Sequence, residues 1–155
     1  MFKRETLGAS ILYWIAVTMF IAAFVAAWAG AAHALTYKEL AAQFEEKNSL
    51  PTGLLQAICE IESGWRAHAI GQDGEIGLCQ LKPSTLHMLC PRCDAEVLLN
   101  PYNNLHWAGR YLAWLRSVLN TDDPAILAAA YNGGQKNGTV NYLLKFRRLH
   151  NNEAK

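Results

Sequence analysis

The sequence predicts a mainly α-helical domain that follows an apolar N-terminal segment. Apolar residues recur at helical spacing along most of the chain after residue 35. Proline or a capping residue stands at the start of most of these stretches. Residues 70–81 are rich in turn formers, so any β-structure is expected to be a small hairpin in that stretch.

The first 34 residues have the layout of a secretory signal peptide. Lys3 and Arg4 come first, no charged residue occurs in residues 8–32, and Ala32-His33-Ala34 matches a small-x-small cleavage site. An apolar run of this length also suits a membrane anchor if it stays uncleaved. In both cases the basic end remains in the cytoplasm, so we expect residues 35–155, the second predicted domain, to be exported.

The charge of the exported part is balanced. The chain has 14 Lys/Arg and 13 Asp/Glu; two of the former and one of the latter lie in residues 1–34, which leaves twelve of each. Because the domain has no net field, its composition gives no reason to expect nucleic acid as a partner. The basic run Lys145-Phe146-Arg147-Arg148 is interpreted as a solvated helix end, with contact to an anionic partner, wall or lipid as the alternative.

Capping signals predict the first two helices. Thr36 and Glu39 form a capping box ahead of a helical apolar stripe. The second helix is expected to have Pro51 in its first turn and to end at Gly64. The apolar face of this second helix is formed by Leu54, Ile58, Ile61 and Trp65, with Leu55, Cys59 and Glu62 on the neighbouring stripe.

Four further helices are predicted. Residues 83–89 form a short helix with Pro83 in its first turn. After Asn100-Pro101 comes a long helix whose wide apolar surface is typical of a buried central helix. This surface comprises Leu105, Trp107, Ala108, Tyr111, Leu112, Trp114, Leu115, Val118 and Leu119. Residues 125–131 form the next helix, which Gly133-Gly134 ends, and residues 140–146 form the last.

Glu62 is the candidate catalytic residue. A general acid must be protonated at the working pH and must lie beside the bond that it protonates. Leu55, Ile58, Cys59 and Trp65 make the surroundings of Glu62 apolar, and desolvation there is expected to raise the pKa of its carboxyl.

Three sequence blocks carry a family resemblance. They are Ile61-Glu62-Ser63-Gly64-Trp65, then Gly77-Leu78-Cys79-Gln80, and finally Ala130-Tyr131-Asn132-Gly133-Gly134. In this order and spacing they resemble the soluble lytic murein transglycosylase domain, a relative of goose-type lysozyme, over residues 50–141. The resemblance implies a lysozyme-like fold. Cys79 stands where the family usually has methionine.

The resemblance also implies roles for the residues in these blocks. Glu62 acts first as acid and then as base. Substrate-binding positions follow at Ser63, Gly77, Gln80, Tyr131 and Asn132. Tyr131 is expected either to stack on a sugar ring or to hydrogen-bond the carboxyl of Glu62. No cofactor or metal is implied.

The reaction implied is cleavage of the β-1,4 bond between N-acetylmuramic acid and N-acetylglucosamine in peptidoglycan, with formation of 1,6-anhydro ends. The implied partners are glycan strands in the periplasm, and the small domain is similar to those that accompany secretion, pilus or conjugation machines. Two alternatives stay open. A lysozyme-type hydrolase would use Asp73 or Glu75 as a second carboxylate, and a wall-binding scaffold would not be an enzyme.

All four cysteines lie in the exported part, and four cysteines allow three pairings. An oxidising compartment favours disulfides. Our hypothesis is Cys90 with Cys93, and Cys59 with Cys79, the second of which would tie the Glu62 helix to the Gln80 turn. The rival is a zinc site built from the four, although the chain has one CxxC and not two.

Overall fold

The computed structural model describes residue 14, residues 17–19, residue 21, residues 35–133 and residues 139–153. The chain divides into two compact units, Met1–Ala34 and Leu35–Lys155. In the first unit the described residues are helical, and the rest of the predicted signal or anchor lies outside the described residues. Within the part of the chain that is described, no helix is both long and apolar enough to cross a membrane.

The second unit is built from helices, which confirms the mainly α prediction. They are α1 (Tyr37–Lys47), α2 (Leu54–Glu62), α3 (Pro83–Leu89), a short 3₁₀ helix (Ala95–Leu99), α4 (Pro101–Leu119), α5 (Pro124–Tyr131) and α6 (Thr139–Glu153). In place of a hairpin, residues 70–81 contain two isolated antiparallel bridges, Ile70 with Ile76 and Ile76 with Leu81.

Several helices begin where the sequence places a capping signal. The capping box of Thr36 and Glu39 is formed at the start of α1. The side chain of Asn100 accepts a hydrogen bond from the amide of Asn103 at the start of α4, and Asp123 caps α5 at the amide of Ala125. Each of these oxygens satisfies an amide that the helix itself leaves unpaired.

The start of α2 differs from the prediction. Pro51 lies before the helix, and Gly53 at φ 78° turns the chain into Leu54. The cap comes from another helix, because the carboxylate of Glu45 on α1 accepts hydrogen bonds from the amides of Gly53 (2.8 Å) and Gln56 (3.0 Å). Glu45 is only 2% exposed, so this cap fixes the helix that ends in Glu62 against α1.

Helix α4 is the centre of the domain and packs against α1, α3, α5 and the 3₁₀ helix. Only one side of it is buried, however. Trp114 is 40% exposed and Val118 is 60% exposed, so the buried face of this central helix is narrower than the predicted apolar surface. Helix α6 extends well beyond the predicted residues 140–146 and packs mainly on α2 and α5, with Phe146 in the core.

Candidate active site

A cleft of about 370 Å³ lies at the C-terminal end of α2. Helices α4 and α5 contribute to one side of it, and residues 73–85 contribute the other. Its lining comprises Glu62, Asp73, Glu75, Gln80, Leu81, Lys82, Thr85, Tyr111, Tyr131, Asn132 and Gly133. A cleft that brings carboxylates, amides and aromatic rings together can hold a polar ligand with apolar faces.

Glu62 is the last residue of α2 and is partly buried in this cleft. Burial raises the pKa of its carboxyl above the ordinary value, because the ionised form loses hydration. The hydroxyl of Tyr142 lowers this pKa, the negative charge of Glu75 raises it, and the positive charge of Lys145 lowers it, with a net rise. The pKa of Glu62 is thus shifted in the direction that a general acid needs.

Tyr142 on α6 is the residue of the site to which the sequence analysis gave no role. Its hydroxyl interacts with the carboxyl of Glu62 without reaching full hydrogen-bond geometry. Burial and the negative charge of Glu62 both raise the pKa of Tyr142, so the phenol stays protonated. The spacing of Tyr142, Phe146 and Leu149 places all three on one helix face and is the signal that could have found it.

Residues 77–80 form a tight turn that is held by α4. Asn104, fully buried on α4, accepts a hydrogen bond from the amide of Cys79 (2.9 Å) and donates to the carbonyls of Ile76 (2.8 Å) and Leu98 (3.0 Å). Gly77 has φ 79°, and a β-carbon there would lie 2.9 Å from the Leu98 carbonyl oxygen and against Asn104. Gly77 is therefore needed for internal packing, it is not among the residues that line the cleft, and its predicted substrate-binding role stays a prediction.

Ser63 supports the turn that carries Gln80, and its predicted substrate-binding role stays a prediction. Its side chain is 4% exposed, and its hydroxyl donates a 2.6 Å hydrogen bond to the carbonyl of Leu78. The same oxygen accepts from the amide of Arg66 (3.1 Å). Ser63 therefore fixes the 77–80 turn against the end of α2 and does not reach the cleft.

Both proposed cysteine pairings are present as disulfides. Cys59–Cys79 joins α2 to the 77–80 turn, and Cys90–Cys93 closes the short loop after α3. These bonds use all four sulfur atoms. Cys59 and Cys79 are fully buried, so where the family usually has a methionine this chain has a buried covalent link directly behind the cleft.

Gln80 lines the cleft. Its backbone φ is 48°, a left-handed conformation that residues other than glycine adopt only at a cost in energy. The side-chain amide nitrogen of Gln80 donates to the backbone carbonyls of Ala69 (3.1 Å) and Gly77 (2.9 Å). With both amide hydrogens used, a hydrogen bond from a sugar hydroxyl must go to the side-chain oxygen.

Tyr131 ends α5 beside Glu62, yet its hydroxyl donates to the carbonyl of Cys79 (2.8 Å) and not to the carboxyl. Burial and the negative charge of Glu62 raise the pKa of Tyr131. Of the two predicted roles for Tyr131, hydrogen bonding to Glu62 is therefore replaced by support of the turn. Asn132 and Gly133 follow Tyr131 and line the cleft.

An ion-paired group forms the opposite wall of the cleft. Lys82 lies 3.1 Å from Glu75 and 3.7 Å from Asp73. Partial burial acts to raise the pKa of Glu75, but hydrogen bonds from backbone amides and from Lys82 lower it overall. The pKa values of Glu75 and Glu62 are therefore shifted in opposite directions within one cleft.

This geometry agrees with the comparison to known families. The family model described as the transglycosylase SLT domain matches residues 39–146. The chain belongs to this family. A search of curated proteins finds no match.

Two solved structures resemble the SLT domain of this chain. An inactive mutant of the lytic transglycosylase Slt from Pseudomonas aeruginosa is 20% identical with a TM-score of 0.54, over 72% of this chain and 21% of that chain. The 70 kDa soluble lytic transglycosylase SLT70 from Escherichia coli is 24% identical with a TM-score of 0.56, over 74% of this chain and 19% of that one. The chain thus spans about a fifth of the length of each, and the likeness shows a shared lysozyme-like fold.

The SLT domain brings four of the six predicted site residues to one cleft, namely Glu62, Gln80, Tyr131 and Asn132. Ser63 and Gly77 lie behind it and position the turn. Tyr142 and Asn104 complete this arrangement, one beside the acid and one beneath the turn.

Proposed function

We propose that the protein is a peptidoglycan lytic transglycosylase. Such an enzyme cleaves the β-1,4 bond between N-acetylmuramic acid and N-acetylglucosamine and leaves 1,6-anhydro ends. The observation that carries the proposal is a single carboxyl of raised pKa, Glu62, inside the cleft of an SLT domain.

The reaction needs Glu62 in both protonation states. The protonated carboxyl donates its proton to the glycosidic oxygen as the bond from this oxygen to the anomeric carbon breaks. The resulting carboxylate then takes the proton of the muramyl C6 hydroxyl, whose oxygen forms the new bond to the anomeric carbon. The proton that Glu62 gives to the glycosidic oxygen in the first step is replaced by the proton that it takes from the C6 hydroxyl in the second, so Glu62 ends in its starting form.

Neighbouring groups suit this exchange. The oxygen of Gln80 can accept a hydrogen bond from a sugar hydroxyl, and the side chain of Asn132 offers both donors and acceptors on the facing wall. Tyr142 supplies a neutral hydroxyl beside Glu62, which moderates the cost of its ionised form after proton transfer.

A hydrolytic reaction is the second candidate, because Asp73 and Glu75 line the same cleft as Glu62. A lysozyme-type hydrolase pairs one protonated and one ionised carboxyl, and the opposite pKa shifts of Glu62 and Glu75 suit this division of roles. The ion pair of Glu75 with Lys82 favours the transglycosylase reaction over hydrolysis, because Lys82 already pairs with the carboxylate that would have to activate water.

The periplasm is the proposed compartment. The signal-like sequence of residues 1–34 directs export, and two disulfides suit an oxidising environment. The peptidoglycan glycan strand is the proposed substrate. Service to a secretion, pilus or conjugation machine is a further part of the proposal, and it rests on the sequence resemblance alone.

Mass spectrometry of the muropeptides released from purified sacculi tests the proposal, with Glu62→Gln as the matched variant. Anhydro-muramyl products from the wild type and none from the variant are expected. Reducing ends would replace the transglycosylase by the hydrolase, and Glu75→Gln and Asp73→Asn would then identify its second carboxylate. No release by the wild-type protein would overturn the proposal in favour of a wall-binding module.

A further inference from the structure

Three aromatic rings lead out of the cleft along α5 and α4. Tyr131 is the innermost, and its ring centroid lies 5.4 Å from that of Tyr111, which lines the cleft. The ring of Trp114, one helical turn further along α4, stacks on Tyr111 with centroids 5.8 Å apart and planes inclined by 14°. Trp114 therefore contacts a residue of the cleft wall and lies just outside the cleft lining.

The domain core does not account for the outer ring. Tyr111 packs against both clusters of buried side chains, whereas Trp114 is not among the described side chains that pack against either. Trp114 is 40% exposed on a helix whose opposite side supplies the core. A large exposed aromatic side chain that is continuous with a cleft is typical of a binding surface.

The surface has the chemistry that suits a sugar ring. A pyranose presents C–H groups on its faces and hydroxyls around its edge, so it packs flat on an aromatic ring while its edge stays in water. Tyr111 stacks on Trp114 and limits the side-chain freedom that Trp114 loses on binding, and the exposed part of the Trp114 ring is the apolar surface offered to the sugar.

We propose that Tyr111 and Trp114 form an outer sugar subsite, which binds one pyranose ring of the glycan strand beyond the two rings that flank the scissile bond. This inference rests on the proposed function for the identity of the strand. In this proposal Trp114 binds the glycan strand and takes no part in proton transfer.

The test measures binding of the β-1,4-linked N-acetylglucosamine hexamer, a probe without peptide, to the full chain carrying Glu62→Gln. Trp114→Ala is expected to weaken binding about tenfold, the effect of losing one aromatic contact of ordinary strength. Trp114→Phe keeps a ring and is expected to retain most of the affinity. Val118→Ala, at a more exposed apolar position on the same helix, is the control and is expected to bind like the parent.

The proposal is overturned if the hexamer binds equally well to the Trp114→Ala and Trp114→Phe proteins. It is also overturned if the hexamer binds to neither. A second measurement uses the active protein on sacculi, where Trp114→Ala should slow release at low sacculus concentration and not at saturation. An equal slowing at both concentrations would also overturn it. If the wild type releases no muropeptide but the hexamer result holds, the proposed function fails and the subsite belongs to a wall-binding module.

Discussion

Asn104 accepts a 2.9 Å hydrogen bond from the backbone amide of Cys79, 25 residues earlier in the chain. The same side chain donates to the carbonyls of Ile76 and Leu98, so one buried amide pairs three backbone groups. Because this amide lies beneath the turn that ends in Gln80, the central helix α4 sets the position of one wall of the cleft.

We expect Asn104→Leu to be among the most destabilising single substitutions in the domain. It removes the partner of the buried Cys79 amide and the buried Asn104 bond to the Leu98 carbonyl, at about 1–3 kcal/mol for each, while the Ile76 carbonyl keeps its hydrogen bond from the Leu81 amide. Urea unfolding should therefore show a loss of about 2 kcal/mol or more. Asn103→Ala is the control, and a similar loss for this neighbouring residue would contradict the assignment.

The pH dependence of sacculus cleavage should respond in opposite directions to two charges. Glu62 must be protonated, so the rate falls as pH rises through its pKa. Glu75→Gln removes a negative charge that raises this pKa and releases the cation of Lys82, so the alkaline limb should move to lower pH. Lys145→Met removes a positive charge that lowers the pKa, so the limb should move to higher pH. Shifts of the same sign in the two variants would contradict Glu62 as the acid.

Tyr142→Phe should move the alkaline limb to higher pH, because the hydroxyl lowers the pKa of Glu62. We also expect the maximal rate to fall about fivefold to tenfold, the effect of losing a contact worth about 1 kcal/mol with the ionised acid. Tyr102→Phe, at an exposed tyrosine, is the control for a lost hydroxyl. An unchanged pH profile in Tyr142→Phe would show that α6 does not tune the acid.

Glu62→Gln should stabilise the fold at neutral pH. The pKa of Glu62 is raised in the folded protein, so its favourable contribution is present below the unfolded value of 4.5 and is lost as pH rises through the folded value. Glutamine does not ionise, so the Glu62→Gln protein does not lose this stability as pH rises. Unfolding measurements should therefore show a gain over wild type at neutral pH that disappears well below pH 4.5, and a gain independent of pH would contradict the assignment.

The two disulfides should contribute unequally to stability. Cys59–Cys79 spans 20 residues of sequence and Cys90–Cys93 spans 3. Loop-closure entropy gives about 3 kcal/mol for the first and about 2 kcal/mol for the second. Paired alanine substitutions compared by urea unfolding check this order. The Cys59 and Cys79 pair should also reduce activity, whereas the Cys90 and Cys93 pair should leave it near that of the wild type.

Local signals predicted most of the helices and most of their starts, but not the start of α2. Pro83 and Pro101 begin α3 and α4 because the ring is tolerated only where no intrahelical amide is needed. Pro51 has the same chemistry and yet lies outside α2. The start of that helix is set by Glu45, which reaches it from α1 across the fold, and no local pattern contains this contact.

The site shows the same division between local and distant information. Sequence blocks locate Glu62, Gln80 and Asn132, because these residues lie at helix ends and turns within the blocks. The function of Ser63 in supporting the turn depends on the carbonyl of Leu78, 15 residues away. The contact of Tyr142 with the acid depends on how α6 packs on α2, and that packing is decided by the whole core.

The link from Cys59 to Cys79 has a consequence for the timing of activity in the life of the chain. An enzyme that opens the cell wall is a hazard wherever it becomes competent too early. Here the Cys59–Cys79 disulfide joins the turn that carries Gln80 to the Glu62 helix, and a disulfide forms in an oxidising compartment. Under the proposed export, a newly made chain in a reducing cytoplasm lacks that bond, so the Glu62 helix and the Gln80 turn are joined covalently only once the chain reaches the periplasm.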